Sequence, residues 1–170
     1  MFDDVADSRF RLPVQPAYDH TQYAPLYLLM LAPSLVLLFV AMTLAANSEQ
    51  AAALIGVSAL VGLVAYSMRR LRVYDAGESL VARFGPIPIF GKRIRYERIE
   101  AFAPDRTSLV DGWGIHWVPG RGWTYNLWGY DCVRLELLGG RTVRIGTDDP
   151  EGLAAFLRQR CGDPVPEAPE

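Results

Sequence analysis

Cysteine and histidine are scarce. Cys132 and Cys161 are the only cysteines, and His20 and His116 the only histidines, in a chain of 170 residues. Two cysteines far apart, with no Cys-x-x-Cys, exclude a disulfide framework and read as free thiols in a reducing compartment. No His-x-x-x-His or comparable ligand spacing supports zinc. No Gly-x-x-x-x-Gly-Lys-Ser/Thr loop is present to cradle a phosphate. Gly112, Gly114, Gly120 and Gly122 alternate with tryptophans at strand-and-turn spacing, and no helix follows to offer an anion-binding N-terminus. Asp148-Asp149 stand directly before Pro150, where helix capping suits them better than metal or acid–base work. No catalytic, cofactor-binding or metal-binding residue is expected. An enzyme with a site around His116, Cys132 and Asp131 is the alternative, and a lipid or small-ligand module is a second one.

Charge is missing from two long runs. Tyr23–Ala46 and Ala51–Met68 contain no Asp, Glu, Lys or Arg. As helices they would span roughly 36 Å and 27 Å at 1.5 Å per residue, against a hydrocarbon core of about 30 Å. A two-helix transmembrane hairpin is expected over 23–68 (spans 23–46 and 51–68). The segment 1–22 before it carries Asp3, Asp4, Asp7 and Asp19, unlike the basic start of a cleaved signal. Arg9 and Arg11 precede the first run, Arg69, Arg70 and Arg72 follow the second, and Asn47–Gln50 between them has no basic residue. The positive-inside rule then places both ends in the cytoplasm and the protein in the cytoplasmic (inner) membrane. Pro33 falls inside the first span. Ala52/Gly56 and Ser58/Gly62 are small residues spaced for close helix packing. Neither span holds an ionisable side chain that would mark an ion path.

After Arg72 the period shortens to two. Alternating segments separated by turns at Asp75–Glu78, Gly85–Pro88 and Phe90-Gly91 lead into Lys92–Tyr96 and Arg98–Ala103. Cys132–Leu137 and Arg141–Ile145, joined at Leu138-Gly139-Gly140, alternate most cleanly. Asp149 and Pro150 open a helix on which Leu153, Phe156 and Leu157 share one face, and Gly162 ends it. The proline-rich acidic stretch 162–170 is expected to be a disordered tail. Residues 69–161 thus form a mainly-β cytoplasmic domain of about seven antiparallel strands with a C-terminal helix. Residues 69–99 hold eight Lys/Arg against three Asp/Glu, whereas 100–170 hold seven against eleven. The basic excess sits beside the membrane. Arg69, Arg70, Arg72, Lys92, Arg93 and Arg95 are candidate contacts to anionic lipid headgroups, too dispersed to suggest nucleic acid.

All four tryptophans lie between Asp111 and Asp131. A hairpin around Pro119–Gly122 is expected. A four-residue loop there would set Val118 against Trp123 and Trp117 against Thr124, and would bring Trp113 opposite Trp128. Both faces would then be apolar, and one would need cover from outside the domain. Trp113, His116, Trp117, Trp123, Tyr125 and Trp128 are the candidate interaction surface. A headgroup layer, a second copy or a protein partner would each suit them.

The order of F-G-P-I-P-I-F-G-K-R-I-R-Y-E-R-I-E, G-W-G-I-H, W-x-Y-N and I-G-T-D-D-P-E-G-L-A-A-F-L resembles the bacterial membrane-tethered pleckstrin-homology-like family over about residues 70–161. The resemblance implies a PH-like barrel or sandwich closed by the C-terminal helix. It also implies a non-enzymatic module, often assembled with copies of itself, and no catalytic residues. The expected function is protein–protein interaction or self-assembly at the membrane.

Overall fold

The computed structural model describes residues 17–43, 47–108 and 112–162. Most of the expected N-terminal segment and residues 163–170 of the expected tail lie outside them. The order is β1 (Asp19–Tyr23), α1 (Leu26–Thr43), α2 (Ser48–Ser67), β2 (Arg70–Asp75), β3 (Ser79–Gly85) and β4 (Gly91–Arg95). A 3₁₀ turn (Tyr96–Arg98) follows, then β5 (Ile99–Arg106), β6 (Gly114–Val118), β7 (Gly122–Asn126), β8 (Asp131–Leu137), β9 (Arg141–Gly146) and α3 (Pro150–Cys161).

Helices α1 and α2 form an antiparallel pair. Asn47 caps α2 through its side chain, which accepts from the Gln50 N–H at 2.9 Å. Ser34 of α1 and Ser58 of α2 exchange hydrogen bonds, each hydroxyl donating to the other residue's carbonyl at 2.8 Å. A Cβ on Gly62 would come within 3.1 Å of Ser34 Oγ, so the Ser58/Gly62 pair does face the neighbouring helix. Gly56 faces open space. Leu29, Val36, Phe39, Met42, Val57 and Leu60 are exposed, so the other described residues do not wrap the pair. Helix α2 is long and apolar enough to cross a membrane, and α1 is shorter than the 23–46 run suggests.

The β-domain has two sheets. One is β1-β2-β3-β4, the other β5-β8-β9-β7-β6. This corrects the expected seven antiparallel strands in two respects. Strand β1, read as part of the N-terminal segment with Tyr23 in the first span, pairs with β2 from Asp19↔Tyr74 to Tyr23↔Arg70. The helical pair is therefore inserted between two adjacent antiparallel strands. Strand β7 also pairs parallel with β9, Trp123 beside Val143 and Tyr125 beside Ile145.

Lateral pairing puts Phe102, Leu135, Val143, Trp123 and Trp117 in one row on the inner face of the second sheet. The next inner row includes Val133, Ile145, Tyr125 and Ile115. Leu71, Val73, Leu80, Ala82, Phe84 and Ile94 of the first sheet complete the core. Helix α3 adds Leu153, Phe156 and Leu157. Full burial of such side chains contributes roughly 1.5–3 kcal/mol each. Asp149 caps α3, Oδ1 accepting from the Gly152 N–H at 3.1 Å, and Gly162 ends it at φ 84°.

Contacts along β1 order the molecule. Next to the helices, Gln22 Nε2 donates to the Trp128 carbonyl at 3.1 Å. Farther out, His20 Nε2 lies 2.5 Å from Asp148 Oδ1, and beyond it the Tyr18 hydroxyl donates to Asp149 at 3.2 Å. At the far end Tyr18 stacks on Phe156 of α3 with ring centroids 5.3 Å apart. Within the second sheet the β6–β7 edge is thus on the side of α1 and α2, while β5, β8 and α3 lie on the far side. The strands of the two sheets cross.

A candidate basic and aromatic cleft

The β6–β7 hairpin turns through Pro119, Gly120 and Arg121, with the Arg121 N–H donating to the Val118 carbonyl at 3.0 Å. Pro119 followed by Gly120 at φ 73° has the signature of a type II turn. The loop is one residue shorter than the expected four, so Trp117 faces Trp123 and His116 faces Thr124. Gly122 pairs with Val118 at φ 81°, and a Cβ there would collide with the Thr142 carbonyl. Only glycine lets β7 approach β9 this closely. The one-residue difference moves Trp117 to the side of Trp123.

The Trp117–Trp123 pair extends the inner core row beyond the cover of the first sheet. Edge strand β4 stands across from it. Between them opens a cleft of about 620 Å³. Lys92, Arg93, Arg95 and Arg98 line one wall. The indoles, Gly120, Gly122 and the start of β9 from Arg141 to Val143 line the other. The Arg98 carbonyl accepts from the Leu138 N–H at 2.9 Å, tying the 3₁₀ turn to the β8–β9 turn and closing the far corner. Five cationic side chains share this cleft, and no carboxylate among the described residues lines it. Arg95 alone among them has an ion pair among the described residues, with exposed Glu97 at 3.0 Å. Fields of cations this close add, because screening acts over about 8 Å at physiological salt. Guanidinium groups match carboxylate or phosphate in a two-pronged geometry, and indole faces stack on planar or cationic groups. Among the described lining residues Thr142 supplies the one hydroxyl. The chemistry offered is capture of an anion.

The candidate residues divide. Trp113, Trp117, Trp123 and Trp128 are 38–57% exposed, and Trp113 stacks on Trp128 with centroids 4.3 Å apart. Tyr125 is buried in the core, where burial pushes its phenol pKa up. His116 faces the outer side of its sheet with Nε2 buried. Arg70 lies at the helix end of β2. Arg95 is level with Ser79 at the opposite end, about six residues or roughly 20 Å along the sheet. Arg69 lies over the Tyr27 ring at 5.9 Å, and Arg72 donates to Asp19 at 2.7 Å. That hydrogen bond is the main cause of a lowered Asp19 pKa. Lys92, Arg93 and Arg95 belong to the cleft. Arg98 and Arg141 were not singled out by sequence, since a lone arginine beside a turn carries no signal of its own.

The outer face of the second sheet bears both His116 and Cys132. They sit on β6 and β8, three strand spacings or about 14 Å apart, and Cys132 is buried. Asp131 pairs with Arg106 at 3.1 Å. These three residues are not brought together. Asp148 and Asp149 are engaged with His20, Tyr18 and the α3 cap. Burial, then the nearby Asp149 charge, raises the Tyr18 pKa. No group of three metal-ligating side chains occurs among the described residues. Comparison with protein-family models, with curated proteins and with solved structures gives no match to this chain.

Proposed function

We propose that the chain is a non-catalytic, membrane-anchored binding module. In this reading α1 and α2 cross the cytoplasmic membrane as a hairpin with the β-domain on the cytoplasmic side. The cleft between β4 and the β6–β7 hairpin holds an acidic segment of a protein partner. The observation that carries the reading is the cleft lining: five cations, two indoles and, among the described residues, no carboxylate. The exposed apolar surface of the helices and the basic residues at their cytoplasmic ends support the anchor. The two-sheet architecture with a terminal helix agrees with a PH-like module, whose use as an assembly domain is part of the same proposal. The acidic excess of residues 100–170, eleven Asp/Glu against seven Lys/Arg, makes a second copy a partner of suitable sign.

The test uses the full chain in nanodiscs of zwitterionic lipid and a short polyglutamate peptide as the probe. Saturable binding that weakens with salt and is lost in Arg98→Glu/Arg141→Glu is expected. No saturable binding by a folded protein, or equal binding by the double variant, would overturn the proposal. Native mass spectrometry of the same sample reads self-assembly.

A further inference from the structure

We infer that the β6–β7 edge docks on the surface of the bilayer that holds α1 and α2, with its indoles in the headgroup layer. The inference rests on the anchor reading above and goes beyond it, because it assigns the cover of a surface that the described residues leave open. Position is the first ground. The contacts of Gln22 with Trp128, of His20 with Asp148 and of Tyr18 with Asp149 run outward in that order, from the end of β7 to the end of β9, so within the second sheet the β6 edge lies on the side of the helices. Composition is the second. From Gly112 to Tyr130 the only charged residue is Arg121, and it is cationic. Exposure is the third. All four tryptophans of the chain lie on this edge, each at least 38% exposed. Tyr23 and Ile89, also exposed, stand at the same end of the first sheet, where the strands meet the helices. Indoles have an apolar body and one N–H donor, which suits the boundary between acyl chains and headgroups. An edge strand laid against that boundary is also shielded from pairing with other strands. Trp117 and Trp123 then form the membrane-side wall of the cleft, which opens along the bilayer surface.

Because every tryptophan lies on this edge, intrinsic fluorescence reports on it alone. The experiment places the full chain in nanodiscs whose phospholipids carry bromine high on the acyl chains. Emission falling to roughly half or less of that in unbrominated lipid is expected, with low quenching by aqueous acrylamide. Trp117→Phe/Trp123→Phe keeps the Trp113–Trp128 stack and is expected to stay quenchable. Emission that ignores bromine and yields to acrylamide would overturn the inference. Shielding from both quenchers would also overturn it, and would assign the edge to a second copy or a protein partner. Extraction by alkaline carbonate separates the two readings. Release of the chain defeats the anchor itself, whereas a retained chain with unquenched tryptophans defeats only the docking.

Discussion

At its far end the β-domain is closed by its own helix; at the end nearest α1 and α2, no element among the described residues does the same. Leu153, Phe156 and Leu157 of α3 cover one opening of the sandwich, and Tyr18 and Tyr96 pack around Phe156. Arg160 adds a hydrogen bond to the Gly77 carbonyl at 2.6 Å. At the near end the inner row runs out through Trp123 and Trp117 into an exposed aromatic edge. The same apolar logic is completed internally in one place and left open in the other. In our account the membrane is what completes it.

Substitutions separate the two ends. Leu157→Ala removes a fully buried side chain and is expected to cost about 2–5 kcal/mol, read as a lower thermal midpoint in detergent. Asp149→Ala strips the cap of the same helix and is expected to cost about 1 kcal/mol in the same assay. Trp117→Ala, at the open end, is expected to cost less than about 1 kcal/mol in detergent, because much of the ring is already exposed. A loss as large as that of Leu157→Ala would show that the edge is internal core.

The smallest effect concerns β1. Arg72 holds the Asp19 carboxyl below its usual range in the folded state. A depressed folded pKa contributes stability above the unfolded carboxylate range, and that stability is lost as pH falls through the folded value. Both side chains are partly exposed, so the contribution is at most about 1 kcal/mol. Asp19→Asn is expected to flatten the acid limb of the stability profile slightly. An unchanged acid limb would remove this pair from the account.

The helices were legible from their long uncharged runs, and β8, β9 and α3 because each carries its own period or cap. Strand β1 was not. Its inward residues, His20 and Gln22, are polar and meet Asp148 and the Trp128 carbonyl, so no apolar alternation marks it. The hairpin was legible from its tryptophans and Pro-Gly turn, but its register was not. One residue of loop length decides the register, and the approach of Gly122 to Thr142 on a distant strand helps fix it. The cleft joins β4, the 3₁₀ turn, the hairpin and β9, and sequence order gives no hint that they converge.

Ile89 and Leu138 allow the most direct test. They are exposed almost equally, at 48% and 47%. Ile89 lies at the helix end of the first sheet. Leu138 follows β8, three strand spacings or about 14 Å beyond β6. Each is replaced by a spin-labelled cysteine in a chain with Cys132→Ala and Cys161→Ala, reconstituted in bilayers. Power-saturation EPR then compares access of oxygen and of a water-soluble nickel chelate. The account predicts that the label at 89 sees mainly oxygen and the label at 138 mainly the chelate. Equal access of the chelate to both would contradict it.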